Sequence, residues 1–209
     1  MIDLYTWTTP NGRKVSILLE ELGVDYEAHA INIGADDQFS PEFLDIAPNN
    51  KIPAIVDRDN GLKLMESGAI LIYLAEKYGR FLPKDPLEKA NADQWLMWQM
   101  AGLGPILGQT HHFVKYNAGK SAYAEERFLT EAKRLYGVLD KQLSDKDYIV
   151  GDYSIVDMAC WPWVSRYEWQ RVNLADFPNV LAWYRRVKER PAVQAGYHVP
   201  KWVNEIPEG

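Results

Sequence analysis

The chain has 209 residues, a formal net charge of −6 with both signs intermixed, and a single cysteine, Cys160. This length allows one large domain or two small ones, and one cysteine excludes an intramolecular disulfide and any cysteine pair for redox or zinc chemistry. The charge offers no basic patch to nucleic acid, and the sequence shows neither a leader nor an apolar run of membrane length. We therefore predict a soluble cytoplasmic protein without nucleic-acid or membrane partners.

The first half of the chain alternates strand and helix patterns. The predicted elements are a strand at 2–7, a helix at 11–22, a strand at 26–33 and a helical turn at 41–46. The first helix places Val15, Leu18, Leu19 and Leu22 on one face, and Gly23 is a typical residue to end it. This order of elements indicates an α/β arrangement.

A hairpin and a further helix follow. Residues 54–57 and 62–65 are short apolar runs on either side of Asn60 and Gly61, a pair that strongly favours a hairpin turn. Residues 67–78 then have the pattern of a helix. Together with the first two strands, the hairpin predicts a four-stranded mixed sheet with helices against it.

The second half of the chain contains helix patterns and few strand signals. Residues 79–86 are rich in glycine and proline, which is typical of an interdomain linker. We predict an α/β domain at 1–80, a linker at 81–86 and an all-helical domain at 87–209. The predicted helices cover 87–113 with a bend around 102–105, then 123–143, 154–171 and 178–189.

Three short polar segments lie at the ends of predicted strands and helices: residues 8–12, 50–53 and 66–68. Thr9 and Pro10 fit the start of a helix, whereas Asn11 is an indifferent helix former inside the first turn. Ser67 also opens a helix, where it can cap and where backbone amides favour an anion. These segments predict a small-molecule pocket at the end of the sheet.

The Thr-Pro-Asn-Gly turn at 9–12, Asn-Lys-Ile-Pro at 50–53, Glu-Ser-Gly-Ala-Ile at 66–70 and the all-helical second half resemble the glutathione S-transferase superfamily. More narrowly, the ordered set of motifs at 9–12, 40–43, 48–53, 102–105 and 108–109 is most similar to the bacterial Nu class and its fungal nitrogen-regulator-like relatives. The resemblance covers essentially the whole chain. It implies a thioredoxin-like N-terminal domain, an all-α C-terminal domain, glutathione as the bound thiol and a homodimer.

The resemblance also implies which residues bind glutathione. The Ile52–Pro53 bond is expected to be cis, although sequence alone favours trans, and it would present the backbone of Ile52 to the cysteinyl residue of the ligand. Ser67 and Glu66 are expected to bind the carboxylate and the ammonium of the γ-glutamyl residue. Lys51 and Gln38 are then candidates for the remaining carboxylate and polar groups, with solvated side chains as the alternative.

No cysteine or serine occupies the turn before the first helix, so no side chain there is an obvious nucleophile. We expect Asn11 and Thr9 to stabilise the thiolate of glutathione together with the helix N-terminus. Tyr5 is the alternative, because other transferase classes use a tyrosine of the first strand, although core packing is its ordinary role. Arg127 matches an arginine that reaches the glutathione site from the partner subunit, with a solvated helix charge as the alternative.

The resemblance to the Nu class predicts a glutathione-dependent disulfide reductase that also reduces organic hydroperoxides. One alternative is a transferase or lyase that acts on an electrophile or a thioether. Another is a non-catalytic interaction protein that keeps the fold. The predicted second substrate is a small disulfide, a hydroperoxide or an electrophile, and no metal is expected.

Three further features have structural interpretations. Cys160 lies among apolar residues and is expected to be buried and unreactive. Ser154 and Asp157 have the spacing of a capping box at a helix start. His111 and His112 point to different helix faces and have no suitably spaced acidic or cysteine partner, so they do not predict a metal site.

Overall fold

The computed structural model describes all residues, Met1–Gly209, and the chain divides into two compact units. The first unit comprises Met1–Leu82 and Glu189–Ile206, and the second comprises Pro83–Lys188 and Pro207–Gly209. No helix combines the length and the apolar character that crossing a membrane requires.

The first unit contains a four-stranded sheet. Its strands are β1 (Ile2–Thr6), β2 (Tyr26–Ala30), β3 (Ala54–Asp57) and β4 (Leu62–Met65), in the spatial order β2-β1-β3-β4. β1 pairs parallel with β2 and antiparallel with β3, and β3 pairs antiparallel with β4. The predicted mixed sheet is confirmed. β2 is shorter than expected because the Asn32 N–H turns to the Asp37 carboxylate, 2.9 Å away.

The helices are α1 (Pro10–Leu22), α2 (Pro41–Leu44), α3 (Ser67–Tyr78), α4 (Pro86–Trp98), α5 (Gly104–Thr110), α6 (Ala122–Gln142), α7 (Ile155–Val164), α8 (Pro178–Lys188) and α9 (Pro191–Tyr197). Of these, α1, α2, α3 and α9 belong to the first unit and α4 to α8 to the second. α1 ends as predicted, because Gly23 adopts a left-handed conformation with φ 66°.

Helix α9 packs closely on α1. A β-carbon at Gly196 would lie 2.7 Å from the backbone of Ile17, so only glycine allows this approach. The buried Arg13 donates from Nε to the carbonyl of Tyr197 at 2.9 Å. The chain thus divides differently from the predicted domains at its C-terminal end, since residues Glu189–Ile206 join the first unit and not the helical one.

The helices of the second unit are less regular than their sequence pattern suggested. Between α4 and α5 the chain passes through a π-helical segment, Gln99–Leu103, where a bend was predicted, and a second one, His111–Tyr116, follows α5. α7 ends at Val164, earlier than the predicted 171, with Pro162 in its last turn. Proline removes a backbone donor, and a short 3₁₀ turn, Tyr167–Gln170, follows.

Buried aromatic side chains form much of the core of the second unit. The rings of Trp161 and Tyr184 stack with centroids 5.4 Å apart, and the Trp161 indole donates to the Tyr184 carbonyl at 3.0 Å. The predicted capping box at Ser154 and Asp157 is present. Asp157 also accepts a hydrogen bond from the Trp183 indole at 2.9 Å, which ties the start of α7 to α8.

Candidate active site

A cavity of about 160 Å³ lies at one end of the sheet in the first unit. The end of β1, the start of β3 and the end of β4 meet there, because the register pairs Tyr5 with Ala54 and Ala54 with Met65. Six of the predicted site residues line the cavity: Asn11, Lys51, Ile52, Pro53, Glu66 and Ser67. Asn49 and Met65 line it as well.

The N-terminus of α3 forms one wall of the cavity and bears backbone N–H groups that lack partners within the helix. Ser67, the first residue of α3, is only 7% exposed, and its hydroxyl accepts a hydrogen bond from the Lys14 ammonium at 3.3 Å. Lys51 is exposed and forms no ion pair with a carboxylate of the protein. The helix dipole and two ammonium groups therefore favour an anion in this part of the site.

Glu66 holds a strained backbone conformation at the same wall. Its φ of 72° lies in a region that non-glycine residues rarely adopt, at a cost of about 1–3 kcal/mol. Glu66, and not Ser67 as predicted, is the N-cap residue of α3, and its side chain makes no capping hydrogen bond. The turn leaves the Glu66 carboxylate exposed, where it attracts a cation.

Ile52 presents an unused backbone edge to the cavity. The Ile52–Pro53 peptide bond is cis, as the resemblance implied. Neither the N–H nor the carbonyl of Ile52 forms a hydrogen bond within the protein. Both groups are available to pair with an extended ligand in the manner of an added strand.

The turn from β1 into α1 contains Asn11, which lines the cavity, and Thr9, which does not. Thr9 is the N-cap of α1, and its Oγ1 accepts a hydrogen bond from the Gly12 N–H at 3.2 Å. The Thr9 hydroxyl proton is not used in this bond and remains available for donation. A β-carbon at Gly12 would lie 2.2 Å from the Trp7 carbonyl, so the tight turn requires glycine.

Tyr5 does not line the cavity. Its ring stacks on His29 with centroids 4.7 Å apart, and it packs against a small core that includes Phe43 and Ala54. Burial raises the pKa of the Tyr5 phenol above its ordinary value. These contacts are those of a packing residue.

Two predicted site residues, Gln38 and Arg127, do not line this cavity. Gln38 belongs to a 3₁₀ turn, Asp37–Phe39, and its Nε2 donates to the Asp36 carboxylate at 3.4 Å. Arg127 is on α6 in the second unit, where it lines a different cavity of about 480 Å³ together with Glu126 and Tyr123. The six candidates that line the first cavity therefore include neither of these residues.

The cysteine and the histidine pair occupy the environments predicted for them. Cys160 is completely buried in α7. His111 is buried and its Nε2 lies 3.1 Å from the Gln170 amide, whereas His112 is exposed. The two imidazoles thus occupy different faces of the helical segment.

Lys14 is the site residue that sequence analysis missed. A lysine inside an amphipathic helix is ordinarily interpreted as a solvated charge. In α1, however, every residue from Gly12 to Leu19 is buried, and Lys14 is 2% exposed. Only the packing of α1 against neighbours on several sides reveals its ammonium beside Ser67.

The chain matches two family models. Residues 1–76 match the glutathione S-transferase N-terminal domain, and residues 100–191 match the glutathione S-transferase C-terminal domain. A relative from Escherichia coli strain K12, disulfide-bond oxidoreductase YfcG, is 52% identical over 198 residues, which cover 92% of this chain and 92% of the relative.

Two solved structures have the same fold. A glutathione transferase from Burkholderia graminis, with two glutathione molecules bound per subunit, superposes with a TM-score of 0.90 at 45% identity, covering 96% of this chain and 88% of the other. A glutathione transferase from Pseudomonas putida, with one glutathione disulfide bound per subunit, superposes with a TM-score of 0.89 at 45% identity, covering 95% of this chain and 91% of the other. The chain belongs to the glutathione S-transferase superfamily.

Proposed function

We propose that the protein is a glutathione-dependent disulfide reductase. The observation that carries this proposal is the cavity at the end of the sheet, which combines an unpaired backbone edge, a helix N-terminus, a free ammonium and a free carboxylate. Glutathione is an extended peptide with two carboxylates and one ammonium, so each feature of the cavity has a matching group on the ligand. The relative named a disulfide-bond oxidoreductase and the glutathione-bound neighbours support the same assignment.

Each residue of the cavity takes a role that follows from its chemistry. The N–H and carbonyl of Ile52 pair with the backbone of the cysteinyl residue, beside Pro53. The N-terminus of α3 at Ser67 binds the γ-glutamyl carboxylate, and Glu66 pairs with the neighbouring ammonium. Lys51 pairs with the glycyl carboxylate, and Gln38 is the second candidate for that end of the ligand.

The protein supplies donors to a thiolate and no nucleophile of its own. Asn11 and the Thr9 hydroxyl donate to the sulfur, and the N-terminus of α1 favours its negative charge. A cysteine thiol has a pKa of about 8.5, and lowering it by about two units requires about 2.7 kcal/mol of preferential thiolate stabilisation. Two or three charge-assisted hydrogen bonds supply an energy of that size.

The reaction consists of two thiol–disulfide exchanges. The bound thiolate attacks one sulfur of the substrate disulfide, forms a mixed disulfide with it and releases the other sulfur as a thiolate. A second glutathione thiolate attacks the glutathione sulfur of the mixed disulfide and releases the second substrate thiolate. Two glutathione molecules are oxidised to glutathione disulfide, and one substrate disulfide is reduced to two thiols.

We extend the proposal to organic hydroperoxides, to the homodimer and to the cytoplasm. The same thiolate attacks the outer oxygen of a hydroperoxide, which breaks the O–O bond, releases the alcohol and leaves glutathione as a sulfenic acid. A second glutathione attacks that sulfur, releases water and forms glutathione disulfide. In a homodimer Arg127 of one subunit serves the glutathione site of the other, which is consistent with its position on a helix of the second unit. A reaction that consumes reduced glutathione fits the reducing cytoplasm.

The test measures turnover of 2-hydroxyethyl disulfide with glutathione by the wild type, Asn11→Ala and Tyr5→Phe. We expect Asn11→Ala to lower kcat by about 100-fold, the loss typical of one donor to a developing anion. Tyr5→Phe serves as the matched control, because its phenol lies outside the cavity. Loss of activity in Tyr5→Phe alone would transfer the thiolate-stabilising role to the strand tyrosine.

Two further outcomes distinguish the alternatives. Wild-type protein that binds glutathione but reduces no disulfide, and instead conjugates or cleaves an electrophilic substrate, would be a transferase or lyase. Wild-type protein that neither binds glutathione nor turns over would be a non-catalytic interaction protein with the same fold. Either result would overturn the reductase proposal.

A further inference from the structure

Residues 198–206, the C-terminal strap, follow α9 and belong to the first unit. The C-terminal end of the strap is anchored, because the Asn204 amide lies 3.3 Å from the Tyr197 hydroxyl and Ile206 is only 8% exposed. Before these anchors, Trp202 is 60% exposed, an unusual degree for an indole. Its ring stacks on that of His198 with centroids 6.3 Å apart and planes 20° apart, which keeps it in a defined orientation.

The strap positions a cation over a ring. The Lys201 ammonium lies 4.2 Å from the centroid of the Trp7 ring, a cation–π contact. Lys201 is exposed and forms no ion pair with a carboxylate of the protein. A cation–π contact orients the ammonium without neutralising it, so its charge and its N–H donors remain available to a ligand.

Trp7 connects this cation to the proposed thiolate site. Its carbonyl accepts a hydrogen bond from the Thr9 N–H at 2.7 Å and contacts the first turn of α1 at Gly12. Two residues of chain span at most about 7 Å, so the backbone of Trp7 lies within that distance of Thr9. The Trp7 ring therefore holds the Lys201 ammonium near the β1–α1 turn, and Trp202 is the next residue along the strap.

We propose that Lys201 selects disulfide substrates that carry a carboxylate near their sulfur atoms, with Trp202 contacting their apolar part. This inference rests on the proposed reductase function and adds a residue that determines specificity for the second substrate. The substrate class is the disulfides of short thiol acids. A neutral disulfide makes no ion pair with Lys201, so the residue separates the two classes by charge.

The experiment compares kcat/KM for 3,3′-dithiodipropionate with kcat/KM for the neutral 2-hydroxyethyl disulfide. The variants are Lys201→Met, which keeps the apolar stem, Lys201→Glu, and Lys84→Met as an exposed lysine outside the strap. An ion pair at an exposed site contributes up to about 1 kcal/mol, so Lys201→Met is expected to lower the acidic-to-neutral ratio about fivefold. Lys201→Glu lowers the ratio further by repulsion, whereas Lys84→Met leaves it at the wild-type value.

The wild-type ratio is also expected to fall with added salt, because exposed charges are screened, and the ratio of Lys201→Met is expected to change less. Equal losses for both disulfides in Lys201→Met would show that the lysine only supports the fold, and the inference would be wrong. If the wild type reduces neither disulfide, the reductase proposal fails by itself. Calorimetric titration of 3,3′-dithiodipropionate into the wild type and Lys201→Met then decides the inference, and equal affinities overturn it.

Discussion

His111 makes the stability of the protein sensitive to mild acid. Burial, and secondarily the nearby Arg166 guanidinium, lower the pKa of the imidazole to about 4, from about 6.5 in the unfolded chain. Gln170 contacts the buried ring, and the indoles of Trp163 and Trp169 pack on it. The folded protein therefore holds His111 neutral at a pH where the unfolded chain binds a proton.

The magnitude follows from linkage between proton binding and folding. Between pH 6.5 and pH 4 the unfolded state binds more protons, so the free energy of unfolding falls as the pH falls, by at most about 1.4 kcal/mol per pH unit. From pH 7 to pH 5 this single group removes about 2 kcal/mol of stability. The contribution has nearly vanished above pH 7, where His111 is neutral in both states.

The assay is urea unfolding followed by tryptophan fluorescence at pH 7 and pH 5, at one fixed protein concentration. His111→Gln is expected to lose about 2 kcal/mol less than the wild type between these two pH values, whatever its stability at pH 7. His112→Gln is the matched control, because that neighbouring side chain is exposed. A His111→Gln protein that keeps the full wild-type loss would show that His111 does not cause the sensitivity to acid.

Two more predictions concern the ligand and the fold. Lys51→Ala is expected to raise the Kd for glutathione about tenfold in calorimetric titration, because a charge-assisted hydrogen bond to a carboxylate is lost. The control Lys84→Ala is expected to leave the Kd unchanged. An unchanged Kd in Lys51→Ala would contradict the assignment of Lys51. Asp157→Ala is expected to lower the free energy of unfolding by about 3 kcal/mol or more in urea unfolding, because the buried donors of Ser154, Ile149 and Trp183 lose their acceptor. A loss as small as that of the exposed control Asp152→Ala would contradict this expectation.

Local patterns predicted the first unit well because its signals are strong and short in range. The hairpin at Asn60 and Gly61 formed as expected, and α3 spans the predicted residues. The alternation of strands and helices was sufficient to indicate the mixed sheet. The C-terminal end was different, because the packing of α9 on α1 depends on a close approach at Gly196 that no local periodicity records.

The sequence predicted the part of the candidate site that local turn and helix-start signals indicate. Turn residues and helix starts identified Asn11 and Ser67, and the family resemblance identified Ile52; all three line one cavity. The strained turn at Glu66 and the buried ammonium of Lys14 were not predicted, since both depend on how the chain packs around them. The sequence also gave no indication that Lys201 would lie over Trp7, because 194 positions of sequence numbering separate the two residues.

Whether the protein is a disulfide reductase is decided by the rate at which the wild type forms glutathione disulfide from glutathione and 2-hydroxyethyl disulfide, above the uncatalysed exchange. We expect turnover that saturates with both substrates and oxidises two glutathione molecules for each disulfide reduced. A rate no higher than the uncatalysed exchange, at glutathione concentrations that saturate the cavity, would contradict it.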